Sequence, residues 1–182
     1  LAESDSFFNL TFVSEADDPS GMPTLRMHVR NILRGDQSFL SPIYADKRFT
    51  DIQGILEKAK KEYPQAQRVV GISWLYNLKS YCESFPSEYT TSLKRLIPAG
   101  YEDECGEGDY TSGLQFIGSD MWGQFQNRFG FANLDRCNQF LANLEKAETI
   151  RDLLDAFPLC VYQAEAPIEV FHEFFEVDEV GR

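Results

Sequence analysis

Two segments mix large rings with small polar groups at spacings that could build a ligand site. The first runs Gly71-Ile72-Ser73-Trp74-Leu75-Tyr76-Asn77 and continues through Lys79, Tyr81, Phe85-Pro86 and Tyr89. The second runs from Phe116 through Asp120-Met121-Trp122-Gly123-Gln124-Phe125-Gln126-Asn127-Arg128-Phe129. Indole and phenol rings offer an apolar body and a polar tip, so they can wall a cavity and orient what enters it. Arg68 to Trp74 is a short apolar run that reads as a buried strand. Leu78, Tyr81, Cys82 and Phe85 then repeat at helical spacing. A strand, a turn and a helix start therefore coincide at Ser73–Asn77. Asn77 stands where a side-chain oxygen can cap the new helix. The free N–H groups of a helix start suit a phosphate or a carboxylate. The candidate ligand-binding residues are Ser73, Trp74, Tyr76, Asn77, Lys79 and Tyr81, joined by Asp120, Trp122, Gln124 and Arg128. Arg128 would serve as an anion ligand or as a partner for Asp120. The competing reading is that the rings pack a sheet against a helix and the charges form a surface ion pair.

Other chemistry has weaker support. His28 and His172 are the only histidines, and a Cys-His or Ser-His pair would need one of them. Strand alternation sets His28 opposite Leu25, Met27 and Val29, while His172 stands in the terminal helix beside two glutamates. Neither has a nucleophile context. Cys82, Cys105, Cys137 and Cys160 contain no C-x-x-C pair, and zinc asks for three or four N/S ligands. Free thiols in a reducing compartment are the expectation. Glu102, Asp103, Glu104, Glu107 and Asp109 lack the spacing of a calcium loop and read as a solvated one. The glycines at 106, 108 and 113 lack the Lys-Ser/Thr ending of a phosphate loop.

Seventeen Lys plus Arg against 29 Asp plus Glu give a net charge of −12. Nucleic acid and anionic membranes need a basic stripe. The one dense basic cluster, Lys58, Lys60 and Lys61, is interleaved with Glu57 and Glu62. Neither partner class is expected. No apolar run reaches the roughly 18 residues of a membrane span. The start, Leu-Ala-Glu-Ser-Asp, has no leader pattern, and a cytoplasmic location is expected. A small-molecule ligand is the expected partner, and homo-oligomerisation stays open.

The elements that must position these residues follow from periodicity. Phe7–Val13 and Thr24–Val29 read as strands of a hairpin around Asp17-Asp18-Pro19-Ser20-Gly21. Phe49 to Tyr63 is a helix stopped by Pro64. Residues 97–113 read as a polar loop and Leu114–Gly118 as a strand, with Trp122–Phe131 left between helix and strand. Helices follow from Asn133 and from Ile150. Leu159–Gln163 reads as a last strand, and Pro167 opens a terminal helix at its first position. The fold class is α/β (α+β): one mixed, largely antiparallel sheet of about five strands flanked by helices, in a single domain over residues 1–182.

Three patches in order, Leu25-Arg26-Met27-His28-Val29, Ser73-Trp74-Leu75 and Ser119-Asp120-Met121 leading to Phe125-Gln126-Asn127-Arg128-Phe129, carry a resemblance. They are similar to the C-terminal domain of a group of bacterial acyltransferase-like proteins related to the GNAT fold. The family carries Leu-Asp where this chain has Tyr76-Asn77, and Asn where it has Asp120. The acyl-CoA pyrophosphate signature of active GNAT enzymes, Gln/Arg-x-x-Gly-x-Gly/Ala, is absent. The resemblance implies a GNAT-like hairpin start and acyl-CoA as the ligand near Trp74–Asn77. If acyl transfer occurs, Tyr76 or Tyr81 would protonate the leaving thiol. The alternative is a non-catalytic interaction module that uses an aromatic patch.

Overall fold

A computed structural model describes residues 5–18, 20–30, 32–33, 37–100, 109–111, 121, 123–124 and 134–177. The strand expected over 114–118, most of the acidic run at 102–109, and Asp120, Trp122 and Arg128 lie outside these residues. The fold is mixed α/β with an open mixed sheet, as the alternating strand and helix patterns require. Two compact units divide the chain: Leu1–Ile72 with Leu78–Leu93 and Ala164–Arg182, and Ser73–Asn77 with Lys94–Gln163.

The first unit begins with a hairpin. β1 (Phe8–Val13) runs antiparallel to β2 (Thr24–Val29), in register from Phe8 opposite Val29 to Val13 opposite Thr24. The turn between them uses Asp18, whose carboxylate accepts the Ser20 N–H at 2.9 Å, and Gly21, whose φ of +67° is one that L side chains rarely adopt. β3 (Arg68–Ser73) lies parallel to β2, with Thr24 opposite Arg68 and Met27 opposite Gly71. β6 (Tyr162–Pro167) flanks β3. The Ile168 N–H, just past the end of β6, donates to the carbonyl of Gln67, just before β3, so these strands run antiparallel. α1 (Ala45–Glu62) packs on β1 and buries Ile52, Ile55, Leu56 and Ala59 at helical spacing. It stops at Tyr63 because Pro64 disfavours helical geometry in the residue before it.

The single helix expected after Asn77 is two short ones, α2 (Lys79–Cys82) and α3 (Ser87–Thr91). Pro86 explains the break. It cannot donate to the preceding turn, and it occupies the capping position of α3. α6 (Ile168–Phe174) closes this unit, with Pro167 one position earlier than expected, at its cap.

Two devices fasten the first unit. One is a run of rings: Phe85 lies 6.0 Å from Phe8, 5.0 Å from Tyr81 and 5.3 Å from Tyr89, and Tyr89 lies 4.9 Å from Phe171. The other is Arg68. Its Nε donates to Thr24 Oγ1, its Nη1 to Glu165, and its Nη2 to both Asp18 and Ser20. Burial works to raise the Asp18 carboxyl, but hydrogen bonds from Ser20 and Thr24 and the Arg68 charge outweigh it and hold the group below its ordinary value. A buried arginine, Arg48, donates to the carbonyls of Phe39 and Ser41 and to Ser84 Oγ, which ties down the connection entering α1.

His172 on α6 buries its Nε2 without a hydrogen-bond partner. Burial, with the Lys60 ammonium, lowers the imidazole below 6.5 against the opposing Glu169 carboxylate. His28 is lowered as well, by burial and by Arg26. An unfolded chain therefore takes up these protons first as pH falls. Their stabilising contribution is whole above pH 6.5 and is lost on acidification through the folded values. Melting temperature should fall between about pH 7.5 and about pH 5.5. A His28→Gln, His172→Gln double variant should show a flatter slope, and equal slopes would refute this account.

In the second unit, β4 (Lys94–Pro98) pairs antiparallel with the start of β6, Lys94 opposite Gln163 and Arg95 opposite Tyr162. It also pairs parallel with β5 (Asp109–Thr111). β5 and the end of β4 at Ile97–Pro98 correct the sequence reading, which makes 97–113 a loop and gives 94–96 no element. β4 is five residues long and opens on Lys94 and Arg95, so it shows little alternation. α4 (Leu134–Leu144) and α5 (Ile150–Ala156) pack together, with Phe140 and Phe157 rings 4.9 Å apart. A reciprocal cap opens α5: Thr149 Oγ1 accepts the Asp152 N–H, and the Asp152 carboxylate accepts the Thr149 N–H.

Candidate functional site

The junction singled out in the sequence is a 3-10 turn over Trp74–Asn77, in the second unit. Ser73, Trp74, Leu75 and Tyr76 are all buried there. The Ser73 hydroxyl accepts the Leu75 N–H at 3.2 Å. Asn77 does not cap α2, whose capping residue is Leu78. Its amide donates instead to the carbonyls of Trp74 at 2.6 Å and Cys160 at 2.7 Å.

Gln124 is fully buried and makes a two-way bond with one residue. Its Nε2 donates to the Leu159 carbonyl at 2.7 Å, and its Oε1 accepts the Leu159 N–H at 3.1 Å. Asn77 and Gln124 thus hold adjacent residues, Cys160 and Leu159. That arrangement explains why the last strand begins at Tyr162 rather than at Leu159. The Leu159 backbone is already paired with a side chain and cannot also join a ladder. The two aromatic segments do meet: a Cβ placed on Gly123 would lie 3.5 Å from the Trp74 indole nitrogen. The Ser73 hydroxyl and the Asn77 and Gln124 amides all serve the backbone.

Lys79 and Tyr81 belong to the first unit. Tyr81 is buried against Phe85. Lys79 is exposed, pairs with Glu83 at 3.5 Å and lines a groove of about 610 Å³. α2, α3 and α6 form that groove. Its apolar lining is Phe85, Pro86, Val170 and Phe174, and its charged lining is Lys79, Glu83, Glu88 and Glu173. Ser87 and Thr90 add hydroxyls, both already engaged: Ser87 donates to Glu88, and Thr90 to the carbonyls of Pro86 and Ser87. Three carboxylates thus face one ammonium, which is already paired.

No family model, curated protein or solved structure matches the chain. Geometry and chemistry alone must carry the function.

One thiol lines the groove, that of Cys82, and it is not in a disulfide. Burial, reinforced by the Glu83 carboxylate, pushes it up, so it stays protonated at neutral pH and is a poor nucleophile. Among the described residues, no group of three or more His, Cys, Asp or Glu is placed to hold a metal. No helix among them is long and apolar enough to cross a membrane.

The groove escaped the sequence reading because its walls are about 85 residues apart. Phe85 and Pro86 were visible at the end of the first aromatic segment. The terminal-helix pattern rests on Ile168, Phe171 and Phe175, and it does not pick out Val170 and Phe174, four apart on α6. Nothing local connects the two stretches.

Proposed function

We propose that this chain is a binding module. Its working surface is the groove formed by α2, α3 and α6, and it holds an apolar ligand bearing positive charge without transforming it. The carrying observation is the pairing of an apolar floor, Phe85, Pro86 and Val170, with a rim of Glu83, Glu88 and Glu173. The volume suits a small ligand or one or two side chains of a larger one. A protonated Cys82 supports holding over covalent chemistry.

The resemblance favours a second reading, a GNAT-like domain that binds acyl-CoA beside Ser73–Asn77. Its support is that two of the three motif patches lie on or lead out of neighbouring strands, β2 and β3. Against it stand the burial of Trp74 and Tyr76 and the engagement of Asn77 and Gln124 with the backbone.

Nile red, a neutral dye that brightens in apolar surroundings, separates the readings. Saturable one-to-one binding is expected, lost when Val170→Trp fills the groove. Binding that survives Val170→Trp would refute the groove reading. A rise in melting temperature with acetyl-CoA, abolished by Asn77→Ala and untouched by Val170→Trp, would establish the acyl-CoA reading in its place.

A further inference from the structure

We propose that the occupant of the groove is a basic segment of another protein, with apolar side chains at more than one position. This rests on the groove reading above and deepens it.

Charge sets the sign of the occupant. Glu83 is answered by Lys79, but no ion pair is found for Glu88 or Glu173 among the described residues, so the rim keeps a net negative charge. Glu169, four residues before Glu173 on α6, extends it along the same helix face. A segment carrying lysine or arginine complements that rim, and an acidic one is repelled.

Reach sets the size. The apolar surface does not end at the groove. Phe174, on its lip, is 41% exposed, and Phe49 of α1, 36% exposed, lies with its ring 6.4 Å away. Both rings rest on the buried Phe175, at 4.9 and 5.1 Å. The strip therefore runs from Phe85 and Val170 over Phe174 to Phe49. A small amine seated in the groove would leave the Phe174–Phe49 end bare. A peptide that places one apolar anchor in the groove and a second on the Phe49 ring covers the strip, as anchored peptides do.

The test uses the intact chain and dye-labelled peptides read by fluorescence anisotropy. One peptide alternates leucine with lysine, and its control carries glutamate at each lysine position. The lysine peptide should bind and the control should not. Glu88→Lys with Glu173→Lys should weaken binding by about tenfold, as removal of complementary charge does, and added salt should weaken it in the parent chain. Phe49→Ser should weaken the peptide while leaving Nile red unchanged. All three substitutions are at exposed positions. Equal binding of the two peptides would overturn the inference, as would indifference to Phe49→Ser. In each of those cases, retained Nile red binding shows that the groove reading itself survives.

Discussion

Phe171→Ala should cost the first unit about 4 kcal/mol of folding stability, within the range for emptying a buried aromatic site. The ring is fully buried and meets Tyr89 edge-on at 4.9 Å, with Phe175 6.1 Å beyond. Tyr89 and Phe175 are themselves fully buried, so neither can swing in from the surface to fill the space. Rings arranged in this way gain quadrupole contacts beyond the area they bury. Urea titration followed by circular dichroism measures the effect. Phe171→Leu should lose much less, because it keeps most of the volume. A loss below about 1 kcal/mol for the alanine variant would show that the cluster is loosely packed.

Arg68→Met should cost about 3 kcal/mol, at the low end for breaking a buried ion pair from one side. The loss comes less from the missing attraction than from what stays behind. Asp18 is buried, with 2% of its side chain exposed, and would keep a charge with no cation beside it. Adding Asp18→Asn to Arg68→Met should therefore recover part of the loss, a non-additivity that a double-mutant cycle reads directly. Acid offers a second check. The folded Asp18 carboxyl titrates below the 3.8 of a free one, so its contribution is present above that value and disappears as pH falls through the folded value. The gap between parent and Arg68→Met should narrow on the same descent. A gap independent of pH, or full additivity in the cycle, would remove Arg68 from this role.

The parts of the fold that were legible in the sequence are those set by local rules. The β1–β2 hairpin showed itself through alternation on both sides of a turn-rich stretch, and α1 through four buried apolar residues at helical spacing, Ile52, Ile55, Leu56 and Ala59, with a proline at its end. α5 announced itself through Ile150, Leu153 and Leu154. What was not legible depended on distant chain. Gln124 looked like a ligand-binding amide because its partner, the Leu159 backbone, lies 35 residues away and is invisible to any local pattern. Asn77 looked like a helix cap for the same reason: its side chain reaches Cys160, 83 residues on. Amides that bind a backbone and amides that bind a ligand have the same composition, and only the third dimension separates them. Arg68 attracted no notice within a strand pattern, although its side chain joins β2, β6 and the hairpin turn.

The order in which the chain is distributed between its two units has a genetic corollary. The path passes from one to the other after Ile72, Asn77, Leu93 and Gln163. No single cut therefore yields either unit whole, and a premature stop codon before residue 164 removes α6 from the first unit even when the second is almost fully translated. A fragment that holds either unit whole must therefore carry part of the other.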